Sequence, residues 1–174
     1  MHIPDGFLNT GTSVAAWAAS AGGIGYAVRR VGRELGERQV PLMGVTAAFV
    51  FAAQMMNFPV AGGTSGHLLG GALAAILLGP WAGMLVLTSV LSVQALLFQD
   101  GGLLALGANV FNMAIVGVLI GWAAYSLLRR LLGAHKRATM MSGFAAGWLS
   151  VVVASIVAAG ELAISGTAPL ALAL

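Results

Sequence analysis

The sequence contains no cysteine and very few charged residues. Its 174 residues include eight Lys or Arg and five Asp or Glu. The absence of cysteine excludes disulfide frameworks, thiolate metal sites and cysteine nucleophiles. Charged residues make up 7% of the chain, against roughly 25% in soluble domains, so too few polar side chains exist to cover a water-facing surface. We therefore exclude a soluble enzyme.

Several motifs that would assign chemistry to the chain are also absent. The sequence has no Walker A motif and no HExxH motif. Its apolar runs hold no carboxylate pair of the kind that proton-coupled carriers use. The basic residues form two tight clusters and no long solvated face, so we do not expect nucleic acid as a partner. A role in energised transport would need energy from a partner.

Long apolar runs make up most of the chain, and hydrophobic residues account for 59% of it. A membrane-spanning helix needs about 20 mostly apolar residues, so this length can hold about six. The runs cover residues 12–28, 41–57, 67–79, 81–98, 103–128 and 138–159. The sequence predicts an all-α integral membrane protein, a polytopic bundle of about six transmembrane helices forming one domain over residues 1–174. The third run is short for a span.

The charge distribution predicts how the bundle is oriented. All eight basic residues lie in the connections that follow the first and fifth runs: Arg29, Arg30, Arg33, Arg38, Arg129, Arg130, Lys136 and Arg137. With six alternating helices both connections lie on one side, which the positive-inside rule makes cytoplasmic. The amino terminus is then extracytoplasmic. The same side collects most of the other ionisable residues: His2, Asp5, His67, Asp100 and Glu161.

The amino terminus carries the most informative pattern. We expect no cleavable signal peptide, because a basic n-region is missing, and we expect Met1 to be retained because His2 is not small. The Met1 amine, the His2 amide nitrogen and the nearer His2 ring nitrogen can chelate one ion. With His67 as the fourth donor, this nitrogen set suits Ni(II) or Cu(II), and Co(II) is also served by imidazole. The competing interpretation makes His2 a mobile terminal residue and His67 an ordinary polar residue near a helix end.

Two polar residues could support such a site. Asp5 suits a turn with Gly6 in which its side chain bonds local backbone N–H groups. Alternatively, Asp5 accepts a hydrogen bond from a ligand imidazole and so selects the ring tautomer. Asn109 lies in an apolar run, where it either forms an interhelical hydrogen bond or shapes the site.

Three further polar residues lie close to His67 along the chain, namely Asn57, Thr64 and Ser65. Each is a candidate for hydrogen bonds around the site, with a role in satisfying the loop as the alternative. Separately, the first run carries small residues at four-residue spacing, a pattern that permits close helix contact in lipid: Ala15, Ala19 and Gly23.

Taken together, seven blocks resemble one known family. They are MHIPDG (1–6), FAAQMMNFP (51–59), GGTSGH (62–67), GGALAA (70–75), LGPWAG (78–83), QALLF (94–98) and GGLLALGANVFN (101–112). They look like the substrate-capturing membrane subunit of cobalt and nickel energy-coupling-factor transporters. The resemblance is strong from residue 1 to about residue 117, and the pairing of the first block with GGTSGH is specific.

The resemblance implies a substrate-binding subunit that is not itself an enzyme. Co2+ or Ni2+ is the transported substrate, held by the Met1 amine, the His2 amide and imidazole, and the His67 imidazole, with no organic cofactor. The site faces the extracytoplasmic side of a multi-pass protein in the cytoplasmic (inner) membrane. The metal feeds cobalamin biosynthesis or nickel enzymes.

The resemblance also implies partners: a transmembrane coupling subunit, cytoplasmic subunits that hydrolyse ATP, and a small accessory membrane subunit. Ala15, Ala19 and Gly23 are our candidates for the surface that meets the coupling subunit. The family further leads us to expect a seventh, C-terminal helix, for which the apolar tail 162–174 is short.

Two other functions remain open at the level of the sequence. One is a structural membrane subunit whose histidines are incidental. The other is a stand-alone channel or metal carrier, which the lack of carboxylates within the apolar runs disfavours. The nitrogen donors do not choose between cobalt and nickel.

Overall fold

Helices form nearly all of the regular structure in this chain. The computed structural model describes residues 2–34, 36, 39–56, 58–60 and 64–169, and of residues 34, 58–60, 64 and 65 only the backbone. The helices are α1 (Thr10–Glu34), α2 (Gln39–Gln54), α3 (Gly71–Leu78), α4 (Pro80–Val93), α5 (Leu106–Asn109), α6 (Gly117–Leu132) and α7 (Lys136–Ile164). A π-helical stretch, Gln94–Phe98, continues α4, and another, Val110–Val116, joins α5 to α6.

Each of the six predicted apolar runs contains helical residues, and the prediction of a helical membrane protein is confirmed. Three continuous helical stretches in the described part of the chain are long and apolar enough to cross a membrane: Pro80–Phe98, Leu106–Leu132 and Lys136–Ile164. Helix α2 is a shorter apolar helix. The third run was the weakest prediction, and only its eight residues Gly71–Leu78 are helical.

The turn-rich segment between α2 and α3 contains a small hairpin. Strand β1 (Phe58–Val60) pairs antiparallel with β2 (Thr64–Gly66), and Phe58 lies opposite Gly66. From His67 to Gly70 the chain is neither strand nor helix. Gly70 has φ 80°, a left-handed conformation that suits glycine, and its missing side chain leaves room for Val50. His67 thus lies on irregular backbone between the hairpin and α3.

The helices pack closely because small residues meet at their crossings. Helix α3 lies against α4, α6 and α7. A β-carbon added to Gly121 would lie 2.7 Å from the Cα and Cβ of Ala72, and one added to Gly83 would lie 3.1 Å from the Ala75 nitrogen. The large buried core side chains are Met84, Leu87, Leu91, Met113 and Val118. Small residues at these crossings therefore allow the helices to approach closely, as expected in lipid.

We expect Gly121→Ala to destabilise the bundle by about 1–3 kcal/mol, because the added methyl overlaps Ala72 of α3. Gly147→Ala is the matched control, since nothing lies within 4 Å of the added atom on α7. Thermal unfolding of both variants in detergent measures the difference. A similar midpoint shift in the two proteins would contradict close packing at Gly121.

Candidate metal centre

The N-terminal segment folds back onto the start of α5 and is held there by backbone bonds. The Ile3 N–H donates to Asn109 Oδ1 over 2.8 Å. The Ile3 carbonyl accepts from Asn109 Nδ2 at 3.1 Å and from the Gly102 N–H at 2.9 Å. The Ile3 side chain is 4% exposed, so this part of the segment is buried as well as bonded. Asn109 therefore bonds the N-terminal segment and not a neighbouring helix.

Asp5 anchors the same segment two residues after Ile3. Its carboxylate accepts hydrogen bonds from the N–H groups of Leu103, Leu104 and Ala105, at 3.0, 2.8 and 3.1 Å. These amides precede α5, where helix geometry leaves N–H groups without partners and favours a negative charge. Gly102 is required here, because any β-carbon at that position would overlap Asp5.

The predicted roles of Asp5 need correction. We expected its side chain to bond local backbone or to accept from a ligand imidazole, but it bonds amides about 100 residues away. The carboxylate beside an imidazole is Asp100, whose Oδ1 lies 2.9 Å from His2 Nδ1. Sequence reasoning placed Asp100 on the correct side but did not assign it to the site. Its position directly before Gly101 and Gly102, which fold around the N-terminal segment, was the available signal.

His2 and His67 meet although 65 positions separate them. Their rings are stacked, with centroids 5.0 Å apart and planes 8° from parallel. The His2 side chain is 7% exposed, and no hydrogen-bond partner for its Nε2 is found in the described ranges. His67 Nδ1 lies 2.9 Å from the Leu68 carbonyl, to which its N–H donates. That bond selects the ring tautomer of His67, as bonds to backbone carbonyls do for metal-binding histidines.

Burial favours the uncharged form of both rings. Loss of solvent lowers the pKa of His2 to about 4, although the adjacent Asp100 acts in the opposite direction. Burial also lowers the pKa of His67. Neutral imidazole is the form that binds metal ions, so neither ring must first lose a charge at pH 7. The His2–Asp100 contact is accordingly a hydrogen bond from neutral Nδ1–H to the carboxylate.

The other predicted residues are placed as follows. Met1 and Asn57 lie outside the described residues, and of Thr64 and Ser65 only the backbone, in β2, is described. On α1, Ala15 and Ala19 are exposed. Gly23, by contrast, faces the bundle, since a β-carbon there would lie 2.6 Å from Ile115 Cδ1. The three small residues therefore do not share one free face.

Side chains alone do not complete a metal site here. Among the residues that the structure describes, no group of three or more His, Cys, Asp or Glu is arranged to hold a metal ion. Glu161, predicted on the same side, accepts a hydrogen bond from Asn112 Nδ2 at 2.7 Å. The His2 and His67 imidazoles therefore lie next to each other and next to the anchored N-terminal segment.

Several known proteins are similar to this chain in sequence and fold. The profile of the family described as "Cobalt uptake substrate-specific transmembrane region" matches residues 2–174. A putative metal transport protein of Haloquadratum walsbyi is 48% identical over 159 residues, covering 91% of this chain and 70% of that protein. A putative fused nickel transport protein of Archaeoglobus fulgidus is 46% identical over 165 residues, covering 95% and 53%.

Relatives of lower sequence identity are also metal transport proteins. A cobalt transport protein of Geobacter sulfurreducens is 35% identical over 160 residues, covering 90% of this chain and 46% of that protein. The chain thus spans about half the length of the fused nickel and the cobalt relatives. The crystal structure of a truncated transition metal transporter superposes with a TM-score of 0.87 at 38% identity, covering 94% of this chain and 75% of that one. The chain belongs to the family of substrate-specific transmembrane regions for cobalt uptake, among the membrane subunits of cobalt and nickel transport.

Proposed function

We propose that this chain captures Co2+ or Ni2+ on the extracytoplasmic side of the cytoplasmic membrane for an ATP-driven importer of the energy-coupling-factor type. The observation that carries the proposal is the stacked pair of neutral imidazoles, His2 and His67, at the point where the N-terminal segment is anchored. The imported metal would serve cobalamin biosynthesis or nickel enzymes.

Four nitrogens would hold the ion: the Met1 amine, the His2 amide after release of its proton to solvent, His2 Nδ1 and a ring nitrogen of His67. The first three belong to adjacent residues and close fused chelate rings, which places them near one plane, and nitrogen donors in a square suit Ni(II). The stacked rings, with centroids 5.0 Å apart, place both imidazoles next to each other. Because each lone pair lies in the plane of its ring, one of the two parallel rings would turn to bind the same ion. The bond from His67 Nδ1 to Leu68 would leave its Nε2 for the metal.

The residues around His2 are already ordered. Asp100 accepts the hydrogen bond from His2 Nδ1, so for Nδ1 to bind the ion the ring proton would have to move to Nε2, which keeps the imidazole neutral. Asp5 and Asn109 hold the segment that carries both backbone donors, which reduces the ordering that binding must supply. In this proposal Asp5 and Asn109 are positioning residues, and neither binds the ion.

Energy for import would come from partners. The chain has no Walker A motif, so cytoplasmic ATPase subunits and a transmembrane coupling subunit would supply it, with a small accessory membrane subunit as a further component. The exposed Ala15 and Ala19 on α1 are the surface we propose for the coupling subunit. Residues 1–174 would act as a single substrate-binding domain.

The terminal amine is the sharpest test. Two residues added before Met1 and retained in the mature protein move the amine out of chelating range while His2 and His67 stay in place. A single added residue would still allow an amine, two amides and the His2 ring to chelate the ion. We expect the affinity for Ni2+, measured by calorimetry, to fall by about two orders of magnitude, near 2.8 kcal/mol of binding free energy. The control inserts the same two residues after Gly133, in the turn between α6 and α7. An unchanged affinity in the extended protein would rule out the chelate.

The histidines provide a matched pair. His67→Ala removes the fourth donor, so we expect its Ni2+ affinity to fall by more than about tenfold, which is about 1.4 kcal/mol. His135→Ala alters a histidine at the start of α7, in the basic connection, and should bind as the parent protein does. Calorimetry on both measures the difference. Equal losses would favour histidines that are incidental to function.

A third prediction concerns positioning. Asp5→Asn weakens the bonds to three amides, so we expect the Ni2+ affinity to fall by about 10–100-fold, as for other residues that orient ligands. Glu161→Gln makes the same carboxylate-to-amide change without touching the N-terminal segment, and it should keep its affinity. Thermal unfolding separates this effect from loss of fold. The proposal for Asp5 fails if the two variants bind equally well.

A further inference from the structure

A cavity opens at the other end of the bundle, away from the histidines. Its volume is about 510 Å3. It lies between the C-terminal part of α1, the start of α2, the turn from α3 to α4, and α6. Its lining includes Arg30, Gln39, Leu78, Trp81, Leu119 and Trp122. Most of this lining is apolar, whereas Arg30 supplies a cation.

The position of the cavity along the bundle corresponds to a membrane–water boundary. Three lining residues each lie near one end of a helical stretch, 16 to 20 residues from its other end. The pairs are Arg30 and Thr10, Trp81 and Phe98, and Trp122 and Leu106. At 1.5 Å per residue this is about 24 to 30 Å, close to the thickness of the hydrocarbon core. Tryptophan is enriched at this level, where its ring meets both acyl chains and headgroups.

Aromatic contacts hold the cation at the cavity. The Arg30 guanidinium carbon lies 5.8 Å from the centroid of the Trp81 ring, within the range of a cation–π contact. Tyr26 packs edge-on against the same ring, with centroids 5.0 Å apart. Trp81 also packs against the core cluster, so its position is set by the fold. Arg30 and Trp81 both line the cavity.

The surrounding charge favours an anionic occupant. The end of the bundle that holds the cavity also carries Arg29, Arg33, Arg129 and Arg130, which lie close to the C-termini of α1 and α6. The connection that follows the first apolar run also contains two acids, Glu34 and Glu37, so basic residues are in excess at this end. Basic pockets between transmembrane helices at such a boundary suit anionic lipid headgroups. Because the rest of the lining is apolar, a molecule with both a phosphate and acyl chains fits better than a free anion.

We propose that this cavity binds one phospholipid with an anionic headgroup, taken from the surrounding bilayer. The phosphate lies at Arg30, and the upper part of an acyl chain packs against Trp81, Leu119 and Trp122. The site is separate from the proposed metal centre, so the lipid strengthens the packing of α1 and α2 against α4 and α6 without touching His2 or His67.

The test uses the full chain, delipidated in detergent, and two lipids with identical acyl chains, phosphatidylglycerol and phosphatidylcholine. Native mass spectrometry measures binding, and thermal unfolding measures stabilisation. We expect one phosphatidylglycerol per chain and a larger rise in the melting temperature than with phosphatidylcholine. Arg30→Gln should weaken phosphatidylglycerol binding by about fivefold, the effect of one basic residue near a lipid surface. Arg130→Gln makes the same charge change outside the cavity lining and should leave binding within twofold.

Leu119→Trp tests the cavity itself by filling it, and it carries the test if Arg30→Gln does not fold. We expect it to reduce phosphatidylglycerol binding while Ni2+ binding, measured by calorimetry, stays unchanged. Equal binding of the two lipids would show an occupant that needs no charge and would overturn the proposal. Equal losses in Arg30→Gln and Arg130→Gln would also overturn it, because the attraction would then be a general one at the basic end.

Discussion

The proposed function depends on one interaction, the return of the N-terminal segment onto the start of α5. Ile3 exchanges two hydrogen bonds with Asn109, and the Asp5 carboxylate accepts three from residues 103–105. A terminal amine and a backbone amide occupy no defined position unless the chain that carries them is anchored. These bonds anchor the segment and place His2 beside His67. The N-terminal dipeptide can therefore supply donors to the proposed binding site.

The position of His67 depends on a segment that is not helical. Irregular backbone at membrane depth is tolerated where protein buries it. Here the short α3 packs among α4, α6 and α7, and Gly71 and Gly121 allow neighbouring backbones to approach. The residues before α3 can therefore form a hairpin and a turn that bring the His67 ring to the end of the bundle. A full-length helix in this place would direct the ring elsewhere.

The two ends of the bundle use different chemistry. One end keeps two imidazoles neutral by burial and places a carboxylate next to one of them. The other end gathers basic residues around an aromatic-lined cavity. The apolar helices between them hold few charged groups, so the two proposed sites lie at opposite ends of the bundle.

The sequence by itself determined the membrane class and most of each helical run, because composition and run length express these directly. The predicted side of each connection and the resemblance to a known family brought His2 and His67 together. Only the tertiary structure decided the partners: Asp5 bonds amides of 103–105 instead of local backbone, Asp100 contacts His2, and Gly23 faces Ile115 while Ala15 and Ala19 stay exposed. These contacts join residues that lie about 90 to 100 positions apart. They depend on how the chain folds back and on the rotation of each helix about its axis. Hydrophobic periodicity does not encode either property when the sequence is almost uniformly apolar.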